Sequence, residues 1–125
     1  RGLGDVYKRQ YLMYAEAVLR GGEGGTREQA LIYLNELRGR AHTDDIESVD
    51  LTLDFILEER SRELYWEGHR RMDLIRYGRF TENYKWPWKN GVHIGVTNID
   101  EKYKIYPIPA TEVTANTRIK QNPGY

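Results

Sequence analysis

Residues Ile56–Phe80 read ILEERSRELYWEGHRRMDLIRYGRF, and this stretch decides the fold. Its helix opens slightly upstream, where Thr52 is an N-cap candidate and Asp54 sits near the positive end of the helix dipole. Leu53, Ile56, Leu57 and Leu64 recur at helical spacing and predict an inward face, with Tyr65 a further inward candidate and Trp66 a core residue. Gly68 interrupts the pattern. Arg70–Tyr77 resumes it with Met72 and either Leu74 or Ile75 inward, and Gly78 stands where a C-terminal cap is expected.

The same stretch is dense in charge, with Glu58, Glu59, Arg60, Arg62, Glu63, Glu67, Arg70, Arg71 and Asp73. Two carboxylates in such a cluster could serve glycoside hydrolysis. The spacing favours a scaffold instead. Glu58 and Arg62 are four apart, as are Glu67 and Arg71, and Asp73 and Arg76 are three apart. Pairs of that kind stabilise a helix by about 0.2–0.5 kcal/mol each. A guanidinium beside a carboxylate also favours its ionised form, the opposite of what a general acid needs. Glu59, Arg62, Glu63 and Arg70 are therefore expected to form a structural network around the break at Gly68.

Upstream, Tyr11–Arg20 (YLMYAEAVLR) places Leu12, Ala15, Val18 and Leu19 at helical spacing and ends in a glycine run, Gly21 to Gly25. Thr26 with Gln29 three residues on is a capping-box pattern. The helix it starts carries Ala30, Leu31, Leu34 and Leu37 and runs to about Ala41. Neither helix can bury its stripe alone, so residues 11–41 predict an antiparallel hairpin resembling one tetratricopeptide-like unit. His42–Asp50 is polar and reads as a loop. Arg1–Gln10 (RGLGDVYKRQ) lacks periodicity and resembles translated sequencing-adapter sequence, so it is set apart as a non-native leader; the other reading is an ordinary strand or loop.

Downstream of Phe80, aromatics, glycines and prolines replace helical periodicity. Tyr84, Trp86, Pro87, Trp88 and Gly91 suggest a structured loop. Val92–Val96 and Lys102–Ile105 are short and alternating, enough for a small hairpin. Tyr106-Pro107-Ile108-Pro109 must be extended, because each proline pushes its predecessor out of the helical region. Thr111 is placed to cap a last turn through Ala115. The fold class is mainly α: a helical hairpin over 11–41, further helices over 52–79, and a loop-rich ending over 80–125 with at most a small β-hairpin.

Composition narrows the function. The 125 residues carry 19 Lys plus Arg and 19 Asp plus Glu. A dedicated nucleic-acid binder normally shows a basic excess, so none is expected. There is no cysteine, which excludes a disulfide framework, a thiol nucleophile and thiolate zinc sites within the chain. No segment approaches the roughly 18 apolar residues of a membrane-spanning helix. His42, His69 and His93 are far apart and form no HExxH-type spacing. The glycine run lacks the lysine of a phosphate loop. No metal or cofactor is expected.

Aromatic residues are the remaining signal, with ten Tyr, three Trp and two Phe. Trp86 and Trp88 flank Pro87 and point the same way in an extended chain. Exposed rings of this kind stack on the apolar faces of sugars; buried ones would pin the loop to the helices. Within seven positions, Tyr84, Trp86 and Trp88 join Asn90, an amide suited to sugar hydroxyls. These four are the candidate ligand-binding residues.

The stretch Ile56–Phe80 closely resembles a run characteristic of SusD/RagB family proteins, "ERxREL…EGxRxxDLxRxG". The hairpin at Tyr11–Ala41 resembles the segment just upstream in that family. YPIPATEV…NTRIKQNPGY resembles its C-terminal ending. The resemblance implies the C-terminal part of an outer-membrane surface lipoprotein. It implies non-catalytic capture of nutrient ligand, mostly oligosaccharide and in some relatives peptide, held for a SusC-like TonB-dependent transporter. It also implies a signal peptide and lipidation site upstream, the membrane being reached only through that lipid anchor. A helical protein–protein adaptor is the alternative from a different class, and a glycosidase a third. The signature residues themselves are expected to be structural.

Overall fold

The computed structural model describes residues 3–85 and 98–125. The chain divides into two compact units, the first ending at Arg70 and the second beginning at Arg71.

The first unit holds α1 (Leu3–Leu19), α2 (Arg27–Arg40) and α3 (Leu53–Glu63). Helix α1 begins ahead of Tyr11 and so runs through part of the segment set apart as a leader. The two predicted N-caps form. Thr26 accepts from the Gln29 N–H and Thr52 from the Phe55 N–H, each at 3.1 Å. Such a cap contributes about 1 kcal/mol. Helix α1 packs on both α2 and α3. Leu12 and Ala15 of α1, Ala30, Leu34 and Leu37 of α2, and Leu51, Ile56 and Leu64 bury into one cluster. Each fully buried leucine in it contributes about 1.5–3 kcal/mol over an exposed one.

The α1–α2 turn depends on a missing side chain. A Cβ on Gly25 would lie 2.6 Å from Val18 Cγ2 and 3.0 Å from the Tyr14 hydroxyl oxygen. Three tyrosines line the seam between these helices. The Tyr11 and Tyr33 rings stack at 4.2 Å between centroids and 5° between planes, and Tyr14 meets Tyr33 edge-on at 5.1 Å. A hydrogen bond to Glu36, then burial, holds the Tyr11 phenol above its ordinary pKa.

The polar loop over residues 42–51 is clasped to α2. Arg27 Nη2 donates to the carbonyls of Ser48 and Leu51, both at 2.6 Å. The Asn35 side chain makes a two-way bridge to the Ile46 backbone at 3.1 and 3.0 Å.

The end of α3 corrects the inward assignment of Tyr65 and Trp66. The helix stops at Glu63 and Leu64 is its last buried residue. Tyr65 is 74 % exposed and Trp66 90 % exposed. Trp66 has left the helix for the left-handed region, with φ 66°, so the helical period no longer applies to it.

The second unit takes in the rest of α4 (Arg70–Arg76), a 3-10 helix (Glu101–Lys104) and α5 (Ala110–Ala115). In α4, Leu74 is the buried apolar residue, while Met72, expected inward, is 56 % exposed. The predicted stop at Gly78 forms, with φ 68°. The Arg79 N–H donates to Leu74 at 2.8 Å and the Gly78 N–H to Ile75 at 3.1 Å, the paired bonds of a Schellman cap. Gly68 is also left-handed, with φ 74°.

Two further expectations are corrected here. Lys102–Ile105 is not a strand. The Asp100 carboxylate accepts from the Lys102 N–H at 2.9 Å and starts the 3-10 helix there. Four alternating residues fit either form, and the aspartate decides for the turn. Thr111 lies inside α5, whose N-cap position is Pro109. The Val92–Val96 half of the expected hairpin lies outside the described residues. Among the described residues there is no strand, and the fold is mainly α with a tetratricopeptide-like hairpin. None of the helices among the described residues is long and apolar enough to cross a membrane.

Candidate functional site

The charge-dense stretch builds a scaffold, though not through the predicted ladder. Glu58 pairs with Arg70 at 2.9 Å instead of with Arg62. Glu59, buried, takes Arg62 and also Arg38 of α2 at 3.4 Å. Glu63 takes Arg40 at 2.6 Å, and Glu67 takes Lys8 of α1 instead of Arg71. Of the predicted pairs, Asp73–Arg76 forms, at 2.9 Å. Glu58, Glu59, Glu63 and Glu67 therefore tie separate segments of the chain together, and each of these carboxylates faces a cation rather than a second carboxylate. Such an arrangement supplies rigidity and no proton-transfer pair. Arg70 further donates to the Leu57 carbonyl at 2.9 Å, bracing the chain across the Gly68 break.

The described residues that flank the candidate aromatic segment are held in place within the second unit. Thr81 is buried, and its carbonyl accepts from the Ile99 N–H at 3.0 Å. Its hydroxyl donates to the Glu101 carboxylate. Lys104 also pairs with Glu101 at 2.5 Å. Lys104 first, then Thr81, hold the Glu101 carboxyl below its ordinary pKa. In the same unit the Arg71 guanidinium lies 5.0 Å from the Phe80 ring centroid and 4.2 Å from that of Tyr106. It donates to the carbonyls of Tyr103 at 2.7 Å and Lys104 at 2.9 Å.

Of the four predicted ligand residues, Tyr84 is half-buried, next to the exposed left-handed Asn83. Trp86, Trp88 and Asn90 lie outside the described residues, as does His93. Among the described residues no group of three or more His, Cys, Asp or Glu could hold a metal ion.

The second unit also carries an aromatic–cation cluster that the sequence reading passed over. Tyr103 and Tyr125 meet edge-on at 6.3 Å, with Lys102 Nζ 5.2 and 5.3 Å from their centroids. The Tyr125 hydroxyl donates to the Ile105 carbonyl at 2.9 Å. The signal was the recurrence of tyrosine beside lysine near the extended Tyr106–Pro109 segment. Flat rings, amides and carbonyls on a rigid base suit recognition of a ligand by stacking and hydrogen bonding.

Comparison with known proteins identifies the family. A profile described as the SusD family matches residues 5–125. The starch-binding protein SusD of Bacteroides thetaiotaomicron is 42 % identical over 117 residues, which is 92 % of this chain and 20 % of that protein. The solved structure of surface glycan-binding protein A from Bacteroides thetaiotaomicron superposes with a TM-score of 0.75 at 34 % identity, over 94 % of this chain and 23 % of that one. The chain thus spans about a fifth of the length of the curated relative it matches. The extent of these matches makes the chain a member of the SusD family.

Proposed function

We propose that the chain is part of a non-catalytic protein that binds glycan nutrient, most simply an oligosaccharide, at the outer face of the outer membrane. The bound ligand passes to a SusC-like TonB-dependent transporter, and a lipid anchor outside this stretch holds the protein at the surface. The observation that carries the reading is the 42 % identity to a protein named for starch binding. The ion-paired scaffold and the Thr81–Ile99 clasp supply rigid support of the kind that binding loops are carried on. Trp86, Trp88, Tyr84 and Asn90 are the proposed ligand contacts, the rings for sugar faces and the amide for hydroxyls.

Calorimetry with a malto-oligosaccharide tests this in the longer protein that carries the stretch. Binding by the parent, weakened at least tenfold in Trp86→Ala or Trp88→Ala at unchanged melting temperature, supports both the ligand class and the site. Binding unaffected by either substitution removes the site. A parent that binds peptides and no glycan replaces the ligand class.

A further inference from the structure

We propose that Tyr11 and Tyr33 form an oxidative cross-linking site, at which a one-electron oxidant of the kind a haem peroxidase generates joins the two rings carbon to carbon as dityrosine and staples α1 to α2, with the Glu36 carboxylate taking the Tyr11 phenol proton.

The two rings are already arranged as a coupling pair. The unpaired electron of a phenoxyl radical lies above and below the ring, on the oxygen and on the carbons ortho and para to it. Two such radicals therefore bond face to face. Tyr11 and Tyr33 are held that way, with 4.2 Å between centroids and 5° between planes. Tyr14 meets Tyr33 at 79° and 5.1 Å, and Tyr7 meets Tyr11 at 49° and 6.3 Å, so in neither pair do two faces meet. Selectivity for one pair among four tyrosines is thus set by orientation. The contact lies wholly within the α1–α2 seam, and removal of an electron across a short distance needs no open approach to the ring.

The proton has a place to go. A phenol is protonated at neutral pH and must shed that proton when it is oxidised. The Tyr11 hydroxyl donates to the Glu36 carboxylate, three residues beyond Tyr33 on α2. Tyr11 is therefore the ring that yields its electron first.

The step balances. Each ring gives one electron to the oxidant. The Tyr11 proton passes to Glu36 and the Tyr33 proton to water. One C–C bond forms between the ortho carbons, the two hydrogens on those carbons leave as protons, and both oxygens are reprotonated. The product keeps two phenols and is lighter by two hydrogen atoms. It closes the chain between residues 11 and 33 in a sequence that has no cysteine, and restricts the unfolded chain as a disulfide does.

Brief illumination with tris(bipyridyl)ruthenium(II) and persulfate supplies the one-electron oxidant, and peptide mapping by mass spectrometry reads which tyrosines it joins. The sample is the dilute, monomeric longer protein that carries the stretch. The expected product links the Tyr11 and Tyr33 peptides, at least tenfold above any other tyrosine pair and at least tenfold above the urea-unfolded protein, and melts at a higher temperature than the unlinked form. A Tyr14–Tyr33 link of equal yield overturns the proposal. So does a Tyr11–Tyr33 link that persists in urea, or linkage between molecules only. Glu36→Gln should slow formation of the link at least fivefold, and an unchanged rate is equally fatal. The mapping itself needs no variant to fold and no ligand, so failure of the glycan reading leaves it intact.

Discussion

The backbone carbonyl of Thr81 and the amide of Ile99, 3.0 Å apart, tie together the two ends of the segment that carries Trp86, Trp88 and Asn90. The described residues on either side of the proposed ligand residues are thereby joined next to the ion-paired 3-10 helix.

That clasp should respond to acid. Glu101 has its carboxyl held low by Lys104 and Thr81, so its contribution is complete above the ordinary glutamate pKa. It is lost as pH falls through the lower folded value. Protection of the Ile99 amide from exchange should hold from neutral pH down to that range and then decline. Lys104→Met should raise the Glu101 titration midpoint more than Thr81→Val. Unchanged midpoints in both variants would disprove the assignment.

Glu59 should matter more than Glu58. Glu59 is buried between Arg38 and Arg62, whereas the Glu58–Arg70 pair is solvent-facing at Glu58. Glu59→Leu leaves the partly buried Arg38 without its carboxylate and should cost about 3 kcal/mol. Glu58→Gln should cost less than about 1 kcal/mol. Urea denaturation measures both, and oligosaccharide affinity should be unaffected in either. Equal losses would contradict the ranking by burial.

Two glycines should respond oppositely to alanine. Gly78 is left-handed, so Gly78→Ala should destabilise by about 1–2 kcal/mol. Gly39 lies within α2 with open space around it, so Gly39→Ala should stabilise by about 0.5–1 kcal/mol. Thermal melts of the two variants decide the matter by sign.

Tyr33 joins the two helices of the hairpin by one stacked and one edge-on ring contact. Tyr33→Leu keeps most of the apolar area and should lose about 1–2 kcal/mol from the two aromatic pairs. Tyr11 titrates high, so its contribution is present below the ordinary tyrosine pKa and is lost as pH rises through the folded value. Tyr11→Phe should flatten the alkaline side of the stability profile; an unchanged profile would exclude Tyr11 as the group responsible.

What the sequence disclosed was mostly local. Thr26, Thr52 and Gly78 act on the chain within a few residues of themselves, and each does in the structure what its position predicts. Trp66 was misread because hydrophobicity was carried along a helical period past the point where the helix ends. Glu58 finds Arg70 and Glu67 finds Lys8 because packing brings separate elements together, which no i,i+4 rule contains. The loop over 42–50 reads from the sequence only as polar, because its supports, Arg27 and Asn35, stand on another element. For the proposed ligand residues, composition marked the aromatic segment, while the Thr81–Ile99 clasp that flanks it needed the fold.

Arg71 is held by shape more than by sign. Its flat guanidinium lies against the Phe80 and Tyr106 rings while its edge reaches two carbonyls. A lysine there would keep the charge and forfeit the flat contact and the fork. Any comparison of relatives that scores arginine and lysine as equivalent would therefore pass over the exchange that undoes this rivet. A screen of natural variants for weakened loop anchorage should rank that conservative-looking change among the damaging ones.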